Sequence, residues 1–229
     1  VDFVIVADGI FSNTRSFFEK KKNESKYKKA LAVRVILKSK SELKIDEQNI
    51  SLMMGGNSHI VIYPINKKKE LNVVCIIRSK KYDPDNIKSL IERTVLKQNP
   101  NLKIIFNNEI KSWPLYYTPK ILPSSNKKVF YIGDAFNGFL PTLAQGAGQS
   151  IESAHEIFYL LKESKLGKDN TYFEERSKRA KIVRRRSNFN FFVFHFSSTI
   201  MQKIRNIFLK FLVKRKTFIH GYLGKVYKN

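Results

Sequence analysis

The chain has 229 residues, 42% of them hydrophobic and 13% aromatic, a composition that buries a core and excludes an intrinsically disordered polypeptide. Its formal net charge is +24, and its longest apolar runs, such as Val73–Ile77 and Phe191–Phe194, are too short to span a bilayer. The single cysteine, Cys75, sits in an apolar run as a small hydrophobe; it excludes a disulfide framework and a thiolate metal site and makes a reducing cytoplasm the default compartment.

The opening stretch VDFVIVADG is apolar and β-branched and stops at Asp8-Gly9, which predicts a buried strand entering a turn. SNTRSFFEK then reads as a short helix with Ser12 as its N-cap. From Ala30 to Ser79 the stretches ALAVRVILK, NISLMMG, HIVIYPI and LNVVCIIRS predict strands, with Gly55-Gly56 and NKKKE as turns. DPDNIKSLIERTVLKQN places Ile87, Leu90, Ile91 and Val95 at helical spacing. Trp113–Lys128, punctuated by Pro114, Pro119 and Pro123, reads as loop, and KVFYIGD as another short buried strand. Beyond it, Ile151, Ala154, Phe158 and Leu161 predict one apolar helical face. The tail from Thr171 reads as helices broken near Ser187 and again near Lys216. The fold class is therefore α/β, α+β overall: a nucleotide-binding core interrupted by a mostly antiparallel sheet, then a basic helical tail. The boundaries are 1–28 and 113–165 for the core, 29–112 for the sheet and 166–229 for the tail.

YIGDAFNGFLPTLAQGAGQSIESA, from Tyr131 to Ala154, spends Gly133, Gly138, Gly146 and Gly148 at one strand-to-helix junction, four of the chain's 10 glycines. A tight turn with packing glycines explains one or two of them. It does not explain Asp134, a carboxylate at the end of a buried strand, where it can accept hydrogen bonds from sugar hydroxyls. Free N–H groups opening the next helix near Gly148 can hold negative charge. Glycines there let a flat ligand approach the backbone, so cofactor binding is the favoured reading.

These residues resemble the FAD-dependent aromatic hydroxylases, the class A flavoprotein monooxygenases, and within them the salicylate hydroxylase-like group. GDAFNGFLPTLAQGAGQSIESA is similar to that family's Gly-Asp motif, and ADGIFSNTR to its Ala-Asp-Gly-x-x-Ser-x-x-Arg motif. HIVIYPINKKKELNVVCII resembles its substrate-domain hairpin, with Tyr63-Pro64 and Asn72, and SWPLYYTP its Trp-x-Leu-Tyr segment. The four occur in the family's order over residues 2–225. The resemblance implies an enzyme that uses FAD, NAD(P)H and O2 to hydroxylate a small aromatic or similarly flat substrate through a flavin C4a-hydroperoxide. It further implies that Gly133 and Asp134 bind the ribityl chain of FAD. Amides from Gly146 through Ala147 and Gly148 to Gln149 would face the flavin pyrimidine edge, and Pro141 would border the substrate side of the ring. Asp8 and Gly9 would lie near the pyrophosphate, with Arg15 holding their motif together by an ion pair. Residues 30–79 would floor the substrate pocket, His59 and Tyr63 facing it. Two positions depart from the family pattern: Asn137 replaces a His, which puts any proton-transfer role there in doubt, and Ser153 replaces an acidic residue.

No Gly-x-Gly-x-x-Gly fingerprint occurs in the 229 residues, so the expectation is the C-terminal portion of a longer flavoprotein. The histidines at 59, 155, 195 and 220 are too scattered in sequence to propose a metal site, and His155 reads as a structural histidine. Residues 165–229 carry 17 basic and 3 acidic side chains. No zinc knuckle, RNP or helix-turn-helix signature accompanies them, so specific nucleic-acid binding is not expected. Two readings of the tail stand: its apolar face packs on the catalytic domain or a second subunit of a homodimer, or it rests weakly and peripherally on an anionic membrane. The rival to an enzyme is a non-catalytic basic protein of the same fold that binds anionic membrane or polyanion.

Overall fold

The computed structural model describes residues 2–20, 25–38, 46, 48–121 and 123–224. Its elements begin with β1 (Val4–Val6), α1 (Asn13–Glu19), β2 (Lys26–Lys38), β3 (Ser51–Met54), β4 (Ser58–Ile65) and β5 (Glu70–Arg78). They continue with α2 (Ile87–Ile91), α3 (Lys103–Phe106), β6 (Lys111–Tyr117), β7 (Val129–Tyr131) and α4 (Gly133–Asn137). The helices α5 (Gly146–Lys162), α6 (Thr171–Phe194), α7 (Thr199–Leu212) and α8 (Lys216–Leu223) complete them. The chain divides into two units, one of Val1–Tyr27, Tyr116–Phe191 and Arg215–Asn229, the other of Lys28–Leu115 and Phe192–Lys214. The region 166–229 is thus shared between both units rather than standing as a block of its own.

In the first unit β1 and β7 pair in parallel, with Val4, Ile5 and Val6 opposite Val129, Phe130 and Tyr131. Val6, Val129 and Tyr131 pack with Ala135, Phe136 and Ala180 on one side of β7, and Phe130 packs with Ile157, Leu166 and Tyr172 on the other. A strand covered on both faces reads as an unbroken apolar run, which is why KVFY was recognisable. Helix α6 runs through Ser187 without the expected break. Tyr172, Arg176, Ala180, Val183, Ser187 and Phe191 form one buried stripe along it, and Ser187 simply takes its place there. The buried Arg176 meets Glu152 of α5 at 3.1 Å and donates to the carbonyl and side-chain oxygens of Gln149 at 3.1 and 2.8 Å. That network turns α5 around. Gln149, Ser153 and Ile157 are buried, while Ile151, Ala154, Phe158 and Leu161, expected as the packing face, are exposed.

In the second unit five strands run in the order β3-β4-β5-β2-β6. Leu31, Val33 and Val35 of β2, Ile60 and Ile62 of β4 and Val73, Cys75 and Ile77 of β5 alternate onto one face. Ile87, Leu90, Ile91 and Val95 cover that face, at the spacing the sequence showed. Burial pushes the Cys75 thiol far above its ordinary pKa, as suits a residue that only packs. The stretch predicted as loop from Trp113 opens inside the strand β6, which runs to Tyr117. Pro114 is tolerated because β6 lies at the edge of the sheet, where a missing N–H need not break the ladder. Helix α7 does not bury its apolar face: Ile200, Ile204, Ile207, Phe208 and Phe211 are exposed.

His59 of β4 and His195, which follows α6, are both buried and meet ring to ring, Nδ1 to Nε2, at 3.0 Å. One neutral ring donates and the other accepts. Burial, and then the neighbouring His195, push the pKa of His59 down to about 3. In the unfolded chain it titrates at its ordinary value of about 6.5, so below that pH the unfolded state takes up a proton that the folded state refuses. Stability is therefore complete above about pH 6.5 and falls toward pH 3, by about 1.4 kcal/mol per unit. The urea midpoint is expected to be flat from pH 8 to 7 and to drop between pH 6.5 and 4; a midpoint unchanged to pH 5 overturns the neutral buried pair.

Candidate functional site

The parallel pair brings two distant motifs to one end of the same short sheet. Ile132 N–H continues the ladder by donating to Val6 O at 3.0 Å, after which the chains leave as Asp8-Gly9 and Gly133-Asp134. Ligands of parallel sheets bind at the carboxyl ends of the strands, and both motifs lie there. Gly9 adopts φ +84°, a conformation that favours glycine, and the turn closes with Ser12 N–H donating to Gly9 O. Ser12 caps α1 by accepting from Arg15 N–H at 2.8 Å. The Asp8 carboxylate accepts from Thr14 N–H at 3.2 Å. Burial works to raise its pKa, but hydrogen bonds from Ser12 and Thr14 outweigh it and hold the carboxyl below its ordinary value.

Arg15 locks the two motifs together. Its guanidinium donates to the carbonyls of Ala135 and Phe136 at 2.8 and 3.0 Å and lies 4.7 Å above the centre of the Tyr131 ring. The expected tie was an ion pair; the hydrogen bonds found here run to main-chain oxygens at the end of α4. Gly138 tightens the same junction. A β-carbon there would fall 2.3 Å from Ile10 Cδ1, so a larger residue would have to displace the Ile10 side chain beside the Asp8-Gly9 turn. Thr118 and Gly138 exchange two hydrogen bonds, at 2.9 and 3.0 Å. Between them Asn137 is fully buried, and neither atom of its amide has a hydrogen-bond partner among the described residues.

Gly133 stands at φ +57°, and a β-carbon would lie 2.8 Å from Ser150 Oγ of α5. Its role is to let α5 cross close beneath Asp134. Asp134 is an exposed residue, yet enough protein surrounds its carboxyl for desolvation to raise the pKa. Among the described residues nothing hydrogen-bonds to that carboxyl. Pro141–Leu143 then form a single 3-10 turn, with Pro141 exposed, and Ala144 takes the left-handed conformation at φ +51°. Thr142 fastens this turn to α6 by donating to Ser187 O at 2.6 Å and accepting from Asn190 at 3.1 Å.

Helix α5 begins without a side-chain cap, so the amides of Gly146, Ala147 and Gly148 project forward as its orphan donors. Gln149 does not join them. Its N–H already donates to Gln145 O at 2.9 Å, and its buried side chain turns inward to Arg176. A β-carbon at Gly146 would meet nothing within 4 Å, and at Gly148 only Gln145 Oε1 at 3.8 Å. Internal packing does not require these glycines; they keep the surface before the helix low. An unpaired carboxylate beside three free amides suits a ligand with hydroxyls to donate and an electron-rich edge to be held.

Of the residues expected to face substrate, Tyr63 is half-buried on the sheet face away from the core, in register with Asn72. Asn72 is buried and accepts from Arg34 Nε at 2.5 Å, so Tyr63, Asn72 and Arg34 make a polar strip on that face. His59 is instead buried against His195 and Phe194. His155, expected to be structural, is exposed and lies against Tyr159. Sequence reasoning missed Arg34, Arg176 and His195, and only Arg176 had a signal, an Arg on a buried helical stripe. Among the described residues no group of three or more His, Cys, Asp or Glu could hold a metal ion.

The squalene epoxidase family model matches residues 1–224. Among solved structures, Klebsiella pneumoniae HpxO complexed with FAD and uric acid has a TM-score of 0.77 at 15% identity, covering 98% of this chain and 59% of that one. A salicylate hydroxylase substrate complex gives 0.69 at 16% identity, covering 100% and 65%. The tetracycline destructase Tet(51) gives 0.59 at 17%, covering 90% and 59%. The chain spans 59–65% of the length of these structures, and identities this low speak for the fold. No curated protein matches it in sequence. With a family model over almost the whole sequence, and the fold of the flavin hydroxylases around the junction of its two glycine motifs, the chain belongs to the squalene epoxidase family of FAD-dependent monooxygenases.

Proposed function

We propose that this chain carries the flavin-ring side of an FAD site and the substrate-contacting sheet of an enzyme that uses NAD(P)H and O2 to hydroxylate a small, flat, electron-rich aromatic compound. The observation that carries the reading is the Asp134 carboxyl, unpaired among the described residues and desolvated, beside the uncapped start of α5. The residues present fit FAD. Asp134 would accept hydrogen bonds from the ribityl hydroxyls, and the amides of Gly146, Ala147 and Gly148 would face the carbonyl edge of the ring system. Those amides and the dipole of α5 stabilise negative charge there, in a position fixed before any reaction begins. Asp8 and Gly9 would lie near the pyrophosphate, with Asp8 holding its turn through Thr14, and Pro141 would stiffen the substrate side. When bound, flavin supplies the redox chemistry: two electrons from NAD(P)H, and activation of O2 so that one oxygen atom enters the substrate and the other leaves as water. The strip of Tyr63, Asn72 and Arg34 is the part of the sheet suited to orient a polar aromatic ring. HpxO holds uric acid, and a salicylate hydroxylase shares the fold, which supports a substrate of this size and shape.

Three outcomes test the reading on the full-length protein. Asp134→Ala is expected to weaken FAD binding at least about tenfold with an unchanged circular dichroism spectrum, since charge-assisted hydrogen bonds contribute about 1.5–3 kcal/mol each. Undiminished flavin content in that variant would falsify the assignment. Gly148→Ala is expected to leave thermal stability unchanged or slightly raised, because glycine costs a helix about 0.5–1 kcal/mol and the added β-carbon meets only Gln145 Oε1 at 3.8 Å, while flavin content falls. Parallel loss of stability and flavin would make Gly148 a packing residue instead. Finally, a panel of hydroxylated and carboxylated aromatic compounds should include at least one that stimulates NAD(P)H oxidation with equal O2 uptake; a flavin-loaded protein inert to every member sinks the proposed substrate class.

A further inference from the structure

We propose that a cleft in the second unit, at the end of the sheet where β5 stops and β4 begins, binds a small molecule carrying two or more phosphoryl groups. The flavin chemistry above makes no use of it. The cleft has a volume of about 950 Å³, which is within the range of small-molecule sites. Arg78, Lys80 and Lys81 line it where the chain leaves β5, and Arg93 and Lys97 line it from the helical stretch that follows. Leu31 and Leu90, both buried, form its floor. Hydrogen bonds fix this frame. Gln98 Oε1 accepts from Gly56 N–H at 2.6 Å and its Nε2 donates to Gly56 O at 2.9 Å, which staples the turn between β3 and β4 to the helical stretch. Arg78 N–H donates to Asn57 O at 2.9 Å and Ser79 N–H to Lys29 O at 3.0 Å, which ties down the end of β5. Arg93 itself stands in a π turn, Glu92–Leu96, an irregularity that recurs at functional sites.

Charge selects the ligand. Lys80, Lys81, Arg93 and Lys97 are exposed and form no ion pair among the described residues. Asp83 also lines the cleft, but its carboxylate is engaged in its own turn, accepting from Asp85 N–H at 3.2 Å and from Asn86 Nδ2 at 2.6 Å. Five cations thus meet a single acid. The folded chain feels this crowding: at the head of β2, burial and then the Arg78 charge lower the pKa of Lys28. A singly phosphorylated ligand would leave most of these cations unmatched. Two or more phosphoryl groups bring enough charge and enough acceptor oxygens to engage guanidinium and ammonium groups from both segments. A nucleic-acid strand fits less well, because no described residue lining the cleft is aromatic and its bases would have nothing to stack on.

Isothermal titration calorimetry on the FAD-loaded full-length protein, at near-physiological salt, tests this with tripolyphosphate and orthophosphate as probes. Tripolyphosphate is expected to bind one to one, and orthophosphate at least about tenfold more weakly. R93E with K97E is expected to weaken tripolyphosphate binding at least about tenfold, with flavin content and the circular dichroism spectrum unchanged. K67E with K69E makes the same charge change on exposed lysines beyond the other end of β5 and is expected to leave binding intact. Should the glutamate pair at 93 and 97 misfold, R93Q with K97Q decides. Failure of tripolyphosphate to bind overturns the proposal. Equal weakening by both reversals does so too, since it would assign binding to the overall charge. A single-stranded RNA oligonucleotide that binds more tightly than tripolyphosphate would assign the cleft to nucleic acid instead.

Discussion

The first unit depends on how closely two glycine turns approach each other at the carboxyl ends of β1 and β7. A pair of three-residue strands is a weak sheet on its own, so the register Val6 to Tyr131 needs help from outside the ladder. Gly138 supplies it by admitting Ile10 where a β-carbon would collide, and Gly133 supplies it by admitting Ser150. Arg15 then bonds the first turn to the carbonyls of α4. Glu19 extends the clamp from the far end of α1, accepting from the Tyr131 hydroxyl at 2.6 Å and from Ser125 N–H at 2.9 Å. The position of Asp134 follows from these contacts, because its backbone is fixed on both sides.

The basic composition divides into two populations with different physics. Arg176, Arg184 and Arg205 are spent on carbonyls and carboxylates within the fold, where a guanidinium satisfies several acceptors at once. Their charges do not advertise a polyanion partner, which is why the overall net charge said little about function. The lysines are different. Lys203 and Lys210 of α7 are exposed, and no Asp or Glu follows Glu175 in the sequence, so their own segment of chain offers no acid to offset them.

Much of the fold was legible because its signals are local. The four strands of the insert alternate with period two, and Ile87, Leu90, Ile91 and Val95 cover them at helical spacing. The Gly-Asp junction was legible because a carboxylate at a strand end is costly without a purpose. What was not legible depends on tertiary partners. Pro114 argued for a loop, and only the edge position of β6 makes it tolerable. The apolar stripe of α5 argued for burial, but the buried Arg176 draws Glu152 and Gln149 toward it and turns Ile151 and Phe158 outward. His59 and His195 are too far apart in sequence for any spacing rule to join them.

Local rules are broken in one neighbourhood more than elsewhere. Ala144 occupies a left-handed conformation that disfavours any side chain, α5 starts without a cap, and Asp134 holds a desolvated carboxyl without a bond from the described residues. Asn137 is buried beside them with no partner for its amide among the described residues, at the position where the motif's resemblance led the sequence reading to expect a His. An amide neither gives up nor takes a proton at ordinary pH, so Asn137 is no substitute for a proton-transferring imidazole. Each of these features lowers the stability of the protein alone, and a sequence that folds consistently everywhere else has no internal reason to keep them together. On the proposed function, a bound molecule supplies the reason. Hydroxyls on Asp134 and a charged edge on the amides of Gly146, Ala147 and Gly148 would satisfy the carboxyl and the helix start at once, so part of the cost left in the folded chain becomes affinity for the ligand.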